Sequence, residues 1–75
     1  MKIIILEKLA EAPDPKHPNN IPVGEIHEGM FRTPPTVGDA FWVGFHWRTS
    51  PVVEILSDNT FRTLNSIYKW TVKET

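Results

Sequence analysis

The chain has no cysteine. No disulfide can staple it, and no thiolate zinc site can form. Long hydrophobic runs are also missing. The apolar stretch near the start, Ile3-Ile4-Ile5-Leu6, is too short for the apolar core of an export signal and far too short to span a bilayer. The expected compartment is therefore the cytoplasm. Charge of one sign is lacking as well: 8 basic against 9 acidic side chains give a formal net charge of −1. That excludes a polybasic nucleic-acid binder and a polyanionic DNA mimic. Length is the last scarcity. At 75 residues the chain is one domain, spanning residues 1–75. It buries roughly 60–65% of its unfolded surface. Its core supplies about 3–5 kcal/mol without staples. These limits argue against a multi-step enzyme, a cofactor-sized fold and a membrane protein, and no cofactor is expected.

What is present is ordinary in bulk and unusual in detail. Hydrophobic residues make 40% and charged residues 23% of the chain, as in a soluble globular domain. Seven prolines and three tryptophans stand out. Pro13, Pro15, Pro18 and Pro22 fall within residues 12–22 and predict a stiff, extended loop there. Prolines in such a loop also lower the entropy of the unfolded chain, which helps a small core.

Either side of that loop the pattern is β. Lys2 to Lys8 is a β-branched, apolar strand, and its three consecutive isoleucines disfavour a helix. A second extended segment runs from Gly24 to Thr33, with Gly24 and Gly29 marking a bulge or a close backbone approach. Pro34-Pro35 end it. The turn Thr36-Val37-Gly38-Asp39 leads into Ala40–Phe45, the clearest strand of the chain. Residues 46–51 read as a connecting loop. Val52–Leu56 is a fourth strand, Ser57-Asp58-Asn59-Thr60 a tight hairpin turn, and Thr60–Leu64 a fifth strand. Asn65-Ser66 is read as one helical turn before a last strand over Ile67–Val72. Strands this short and this closely spaced predict an all-β barrel or compact sandwich.

This order resembles SH3-like barrels, in which a long loop follows the first strand and a helical turn precedes the last. The whole chain also resembles small uncharacterised phage and prophage proteins. The residues that carry the likeness are Val37, Gly38, Asp39, Phe41, Val43 and Gly44, then Thr49, Ser50, Val52, Glu54 and Ile55. Phe61, Thr63, Asn65, Ser66 and Tyr68 complete it. The resemblance implies a small SH3-like barrel of five to six antiparallel strands, a mobile-element origin and a bacterial host. It implies no activity. The paired tyrosines of peptide-binding SH3 domains are missing from the first strand, and the long loop is proline-rich rather than acidic.

Catalytic and metal constellations are weak. His17, His27 and His46 lie in different elements, with no H-x₃-H or H-E-x-x-H spacing, so a metal site would need them to converge with Glu25 or Asp39. Ser50, Ser57 and Ser66 sit in turns without a nucleophile elbow and read as hydroxyls that satisfy backbone groups. Glu25 and Glu28 fall on opposite faces of a strand. The expectation is a protein that is not an enzyme.

The aromatics carry more information, at 11% of the chain. Alternation in the third strand assigns Phe41, Val43 and Phe45 to the core and turns Trp42 outward beside His46. In the last strand, Tyr68, Trp70 and Val72 share one face while Ile67, Lys69 and Thr71 share the other. Which face is buried stays open. Trp42, Trp47 and one of Tyr68 or Trp70 exceed what a tiny barrel needs to bury. They read either as core rim or as an exposed recognition patch. The function expected on the second reading is a non-catalytic binding module. Its protein partner, a host protein among the options, would be anchored by Trp42, Trp47 and Trp70 and oriented by Arg48. The alternative is a nucleic-acid-binding barrel using Arg48, Arg62 and Lys69 interleaved with aromatics. Residues 1–39 hold four basic and six acidic side chains and residues 40–75 four and three, so the field behind that alternative is weak. A homo-oligomer formed by edge pairing of the first or last strand is a further option.

Overall fold

A computed structural model describes residues 2–12 and 22–74. Most of the expected proline loop, residues 13–21, lies outside the described residues. The architecture is all-β. Six strands follow in chain order: β1 (Lys2–Glu11), β2 (Ile26–Met30), β3 (Ala40–Val43), β4 (Trp47–Ser57), β5 (Thr60–Thr63) and β6 (Ser66–Glu74). They form one antiparallel sheet in the order β2-β1-β6-β5-β4-β3. The sheet curls until its two outer strands meet, so each strand neighbours the next around a nearly closed barrel. At the β2–β3 seam the Gly44 N–H donates to the Met30 carbonyl at 3.0 Å. This arrangement is compatible with a small SH3-like barrel. No helix among the described residues is long and apolar enough to cross a membrane.

Period-two alternation decides what each strand buries. In β1, Ile4, Leu6 and Lys8 point inward while Ile3, Ile5 and Glu7 are half-buried on the other face. Ile4 and Leu6 join Phe41, Val43, Val52, Phe61 and Tyr68 in the core, and Phe31, Trp47, Trp70 and Val72 pack against it. The centre is a relay of rings: Phe41 to Phe61 at 5.0 Å, Phe61 to Tyr68 at 5.6 Å, and Phe41 to Trp70 at 6.2 Å between centroids. Tilted pairs of this kind add about 0.5–1.5 kcal/mol beyond area burial. The face of β6 left open by its sequence is thereby assigned: Tyr68, Trp70 and Val72 face inward. Lys8 is fully buried, and its ammonium donates to Glu11 Oε1 at 2.6 Å.

Three local expectations need correction. The third strand ends at Val43 rather than Phe45, because Gly44 takes a left-handed φ of 65° that starts a three-residue hairpin. Phe45 therefore sits at the hairpin tip, 60% exposed, and not in the core. Residues 47–51 belong to β4 and not to a connecting loop. The reversal to β4 is complete by Trp47, which pairs with Val43. Pro51 is accommodated where the β3–β4 register shifts, and the Phe41 N–H donates to Thr49 Oγ1 at 3.0 Å there. Finally, Leu64-Asn65 is a bend and not a helical turn. The buried Thr63 hydroxyl ties it by accepting from the N–H groups of Asn65 (3.2 Å) and Ser66 (3.1 Å) and donating to the Ser66 carbonyl (3.2 Å).

The remaining turns follow their sequence signals. The Asp39 N–H donates to the Thr36 carbonyl at 3.1 Å, with Gly38 at φ 98° in the third position. Gly29 is the expected close approach. A Cβ there would lie 3.1 Å from Val43 Cγ1 and 3.2 Å from Gly44 N, so glycine is what lets β2 reach the β3 hairpin. β1 is flanked by β2 and β6, and β6 by β1 and β5, so neither the first nor the last strand is an edge available for pairing.

Candidate binding surface

The four residues Trp42, Trp47, Arg48 and Trp70 divide between two faces of the barrel. Trp47 and Trp70 turn toward the core. Trp47 meets Tyr68 edge-on at 6.4 Å and stacks on His27 at 4.1 Å and 15° between planes. Trp70 stacks parallel to Phe31 at 6.0 Å. Trp42 lies between the buried Phe41 and Val43, so strand alternation puts it on the outer face, opposite Arg48 of β4.

Around Trp42 the fold gathers residues distant in sequence. The Arg48 guanidinium carbon lies 5.8 Å from the Trp42 ring centroid. Arg32, just beyond the end of β2, lies 5.4 Å from the same centroid and 4.8 Å from that of Phe45. Arg32 gets there because the chain leaving β2 continues beside β3 past the Gly44–Met30 contact. Each such contact is worth about 0.5–1 kcal/mol at an exposed site. Both arginines are exposed, and among the described residues no carboxylate pairs with either. Trp42, Phe45, Arg32 and Arg48 thus form one cationic, aromatic patch. Arg32 and Phe45 escape the sequence reading. A Gly-Phe-His between two apolar runs was the available hint of a hairpin that would expose Phe45. Nothing local marks Arg32, whose place depends on the closure of the barrel.

The other basic residues do not join this patch. Arg62 pairs with Glu54 at 3.2 Å on the outer face of the β4–β5 hairpin. Lys69 stands opposite Glu7 in the β1–β6 register and opposite Thr60 in the β5–β6 register. Arg62 and Lys69 fall diagonally across the β5–β6 ladder, while Arg48 stands opposite Trp42 on the β3–β4 ladder.

Of the polar candidates, His27 is held in its stack with Nε2 buried and unpartnered, and His46 is exposed in the hairpin turn. His17 lies outside the described residues. Among the described residues no group of three or more His, Cys, Asp or Glu could hold a metal ion. Ser57 Oγ bonds to Asn59 and Thr60 within its hairpin, Ser66 is buried in the bend, and Ser50 Oγ is buried without a partner. No family model, curated protein or solved structure matches this chain.

Proposed function

We propose that the protein is a non-catalytic binding module acting through a protein–protein contact on the outer face of the β3–β4 hairpin. Trp42 and Phe45 anchor the partner, and Arg32 and Arg48 orient it. The observation that carries this reading is the convergence around Trp42 of the 60% exposed Phe45 and two arginines that no carboxylate among the described residues pairs. Aromatic and arginine side chains are the types that concentrate binding energy at interfaces. Burying Phe45 in a partner gains about 1.5–3 kcal/mol. The nucleic-acid alternative has less support. Arg62 is held by Glu54 at 3.2 Å, so one of the three basic residues of that reading is already paired.

The resemblance to phage and prophage proteins directs the search for a partner to bacterial lysates. The full chain serves as bait beside Trp42→Ala, Phe45→Ser and Ile55→Ser variants. Ile55 is 46% exposed at a site away from the patch. Loss of a captured protein with the first two variants and retention with the third is the expected result. Capture that ignores Trp42 and Phe45 would move the interface elsewhere.

A further inference from the structure

Resting on that reading, we infer that the partner presents an acidic, extended segment whose carboxylates are gripped by Arg32 and Arg48. The argument starts from what the fold does with its cations. Lys8 is met by Glu11 at 2.6 Å and Arg62 by Glu54 at 3.2 Å. Lys2, Lys69 and Lys73 have no carboxylate partner among the described residues, and what sets Arg32 and Arg48 apart is the ring they share. They are drawn to within 5.8 Å of one ring centroid with no carboxylate beside them among the described residues. Two like charges on one indole repel, and the ring only partly offsets this. An incoming pair of carboxylates removes the repulsion and adds charge-assisted hydrogen bonds.

Geometry narrows the ligand further. A guanidinium resting on an aromatic face keeps its N–H edge directed outward, where it matches a carboxylate in two parallel bonds. Arg32 lies over Trp42 and Phe45 and Arg48 over Trp42, which restricts both guanidiniums before binding and lowers the side-chain entropy lost on binding. In an extended segment, alternate residues share one face with their Cα atoms about 7 Å apart, so one segment can present two carboxylates to both arginines. Phe45, at the edge of the pair, takes an apolar neighbour of those acids. The ligand class is therefore a strand-like peptide combining acidic residues with an apolar one. A nucleic-acid backbone offers anions too. Its spaced phosphates call for a continuous basic track, and Arg62 is already held by Glu54 while Lys69 stands opposite Glu7.

The test uses the full chain and defined probes. One is an extended peptide alternating Glu and Ser around a central Leu. A second has Gln in place of each Glu, and a third is single-stranded oligothymidylate. The indole N–H resonance of Trp42, followed by NMR, reports occupancy of the patch. The acidic peptide is expected to shift it saturably and to lose affinity with added salt. Arg32→Gln or Arg48→Gln should each weaken binding about threefold to tenfold. Arg48→Lys should recover only part of that loss, since lysine keeps the charge but not the fork. Thermal melts confirm that these exposed substitutions leave the barrel folded. If the Gln peptide binds as well as the Glu peptide, or oligothymidylate binds and the acidic peptide does not, the inference is overturned. It is equally overturned if the acidic peptide leaves the Trp42 resonance in place. In that last case, lysate capture that still depends on Trp42 and Phe45 would leave the protein-contact reading standing.

Discussion

Thr63 offers the most incisive test of how the barrel is held together. It is 1% exposed, faces Val52 across the β4–β5 ladder, and sits where hydrophobic counting would favour valine. Its hydroxyl makes three hydrogen bonds at 3.1–3.2 Å that shape the bend between β5 and β6. Thr63→Val keeps the shape and adds apolar surface, but it deprives the N–H groups of Asn65 and Ser66 of this acceptor. Losing the acceptor of a buried donor costs about 1–3 kcal/mol, so losing it for two donors costs about 2–6 kcal/mol. Thr63→Ser keeps the hydroxyl and loses one buried methyl, for about 1 kcal/mol. The predicted order is therefore Thr above Ser above Val. The valine loss approaches the whole ~3–5 kcal/mol that a core of this size supplies. Urea unfolding followed by tryptophan fluorescence reads the difference. With an m-value near 1 kcal/mol/M, Thr63→Ser lowers the midpoint by about 1 M, and Thr63→Val leaves little folded baseline. A Thr63→Val protein as stable as the parent would refute the argument, because apolar burial would then outweigh the hydrogen-bonded bend.

Other substitutions probe the seam and the hairpin. Gly29→Ala drives a Cβ against Val43 and Gly44. It should destabilise by about 1–2 kcal/mol even after the unfolded-state gain that alanine brings. Denaturant midpoints check this, and a neutral or stabilised variant would mean that β2 is not tightly held against β3. Phe41→Ala should cost about 3–5 kcal/mol and largely unfold the chain. Phe45→Ser should stay within about 1 kcal/mol of the parent, as Phe45 is 60% exposed and gives up the cation–π contact with Arg32 and a small apolar burial. Parallel thermal melts compare the two, and similar losses would restore Phe45 to the core. His27→Ala removes the stack on Trp47 and should lower stability by about 0.5–1.5 kcal/mol, read by the same melts.

The order of strands was legible because it rests on local chemistry. Ile3-Ile4-Ile5, the Val37-Gly38-Asp39 turn and the Ser57–Thr60 hairpin each specify their own geometry without help from the rest of the chain. The errors share one cause. Apolar runs mark strands but not where strands stop. Phe41-Trp42-Val43-Gly44-Phe45 alternates well enough to be one strand throughout, and Phe45 is as apolar as Phe41. The decision falls to Gly44, whose φ of 65° is available to glycine at little cost and turns the chain two residues before the apolar pattern ends. Asn65-Ser66 fails similarly, since a Thr hydroxyl can tie a bend as firmly as a helical turn would.

The surface was harder to read, and the reason lies in the missing cysteines. Set against the needs of a tiny core, three tryptophans read as a surplus. Yet a chain of 75 residues with no disulfide must draw its stability from large side chains. Trp47 and Trp70 serve that need: one closes on Tyr68 and His27, the other on Phe31 and Phe41. Counting aromatics therefore overstates the surface by the number the core absorbs. Trp42 is different because alternation alone fixes it outward between two buried neighbours, and that much was legible. Its companions were not. Arg32 stands ten positions away in sequence and reaches Trp42 only once β2 has closed on the β3 hairpin. A patch assembled across a barrel seam leaves no periodic trace along the chain, so only the closed fold reveals which arginines share a ring.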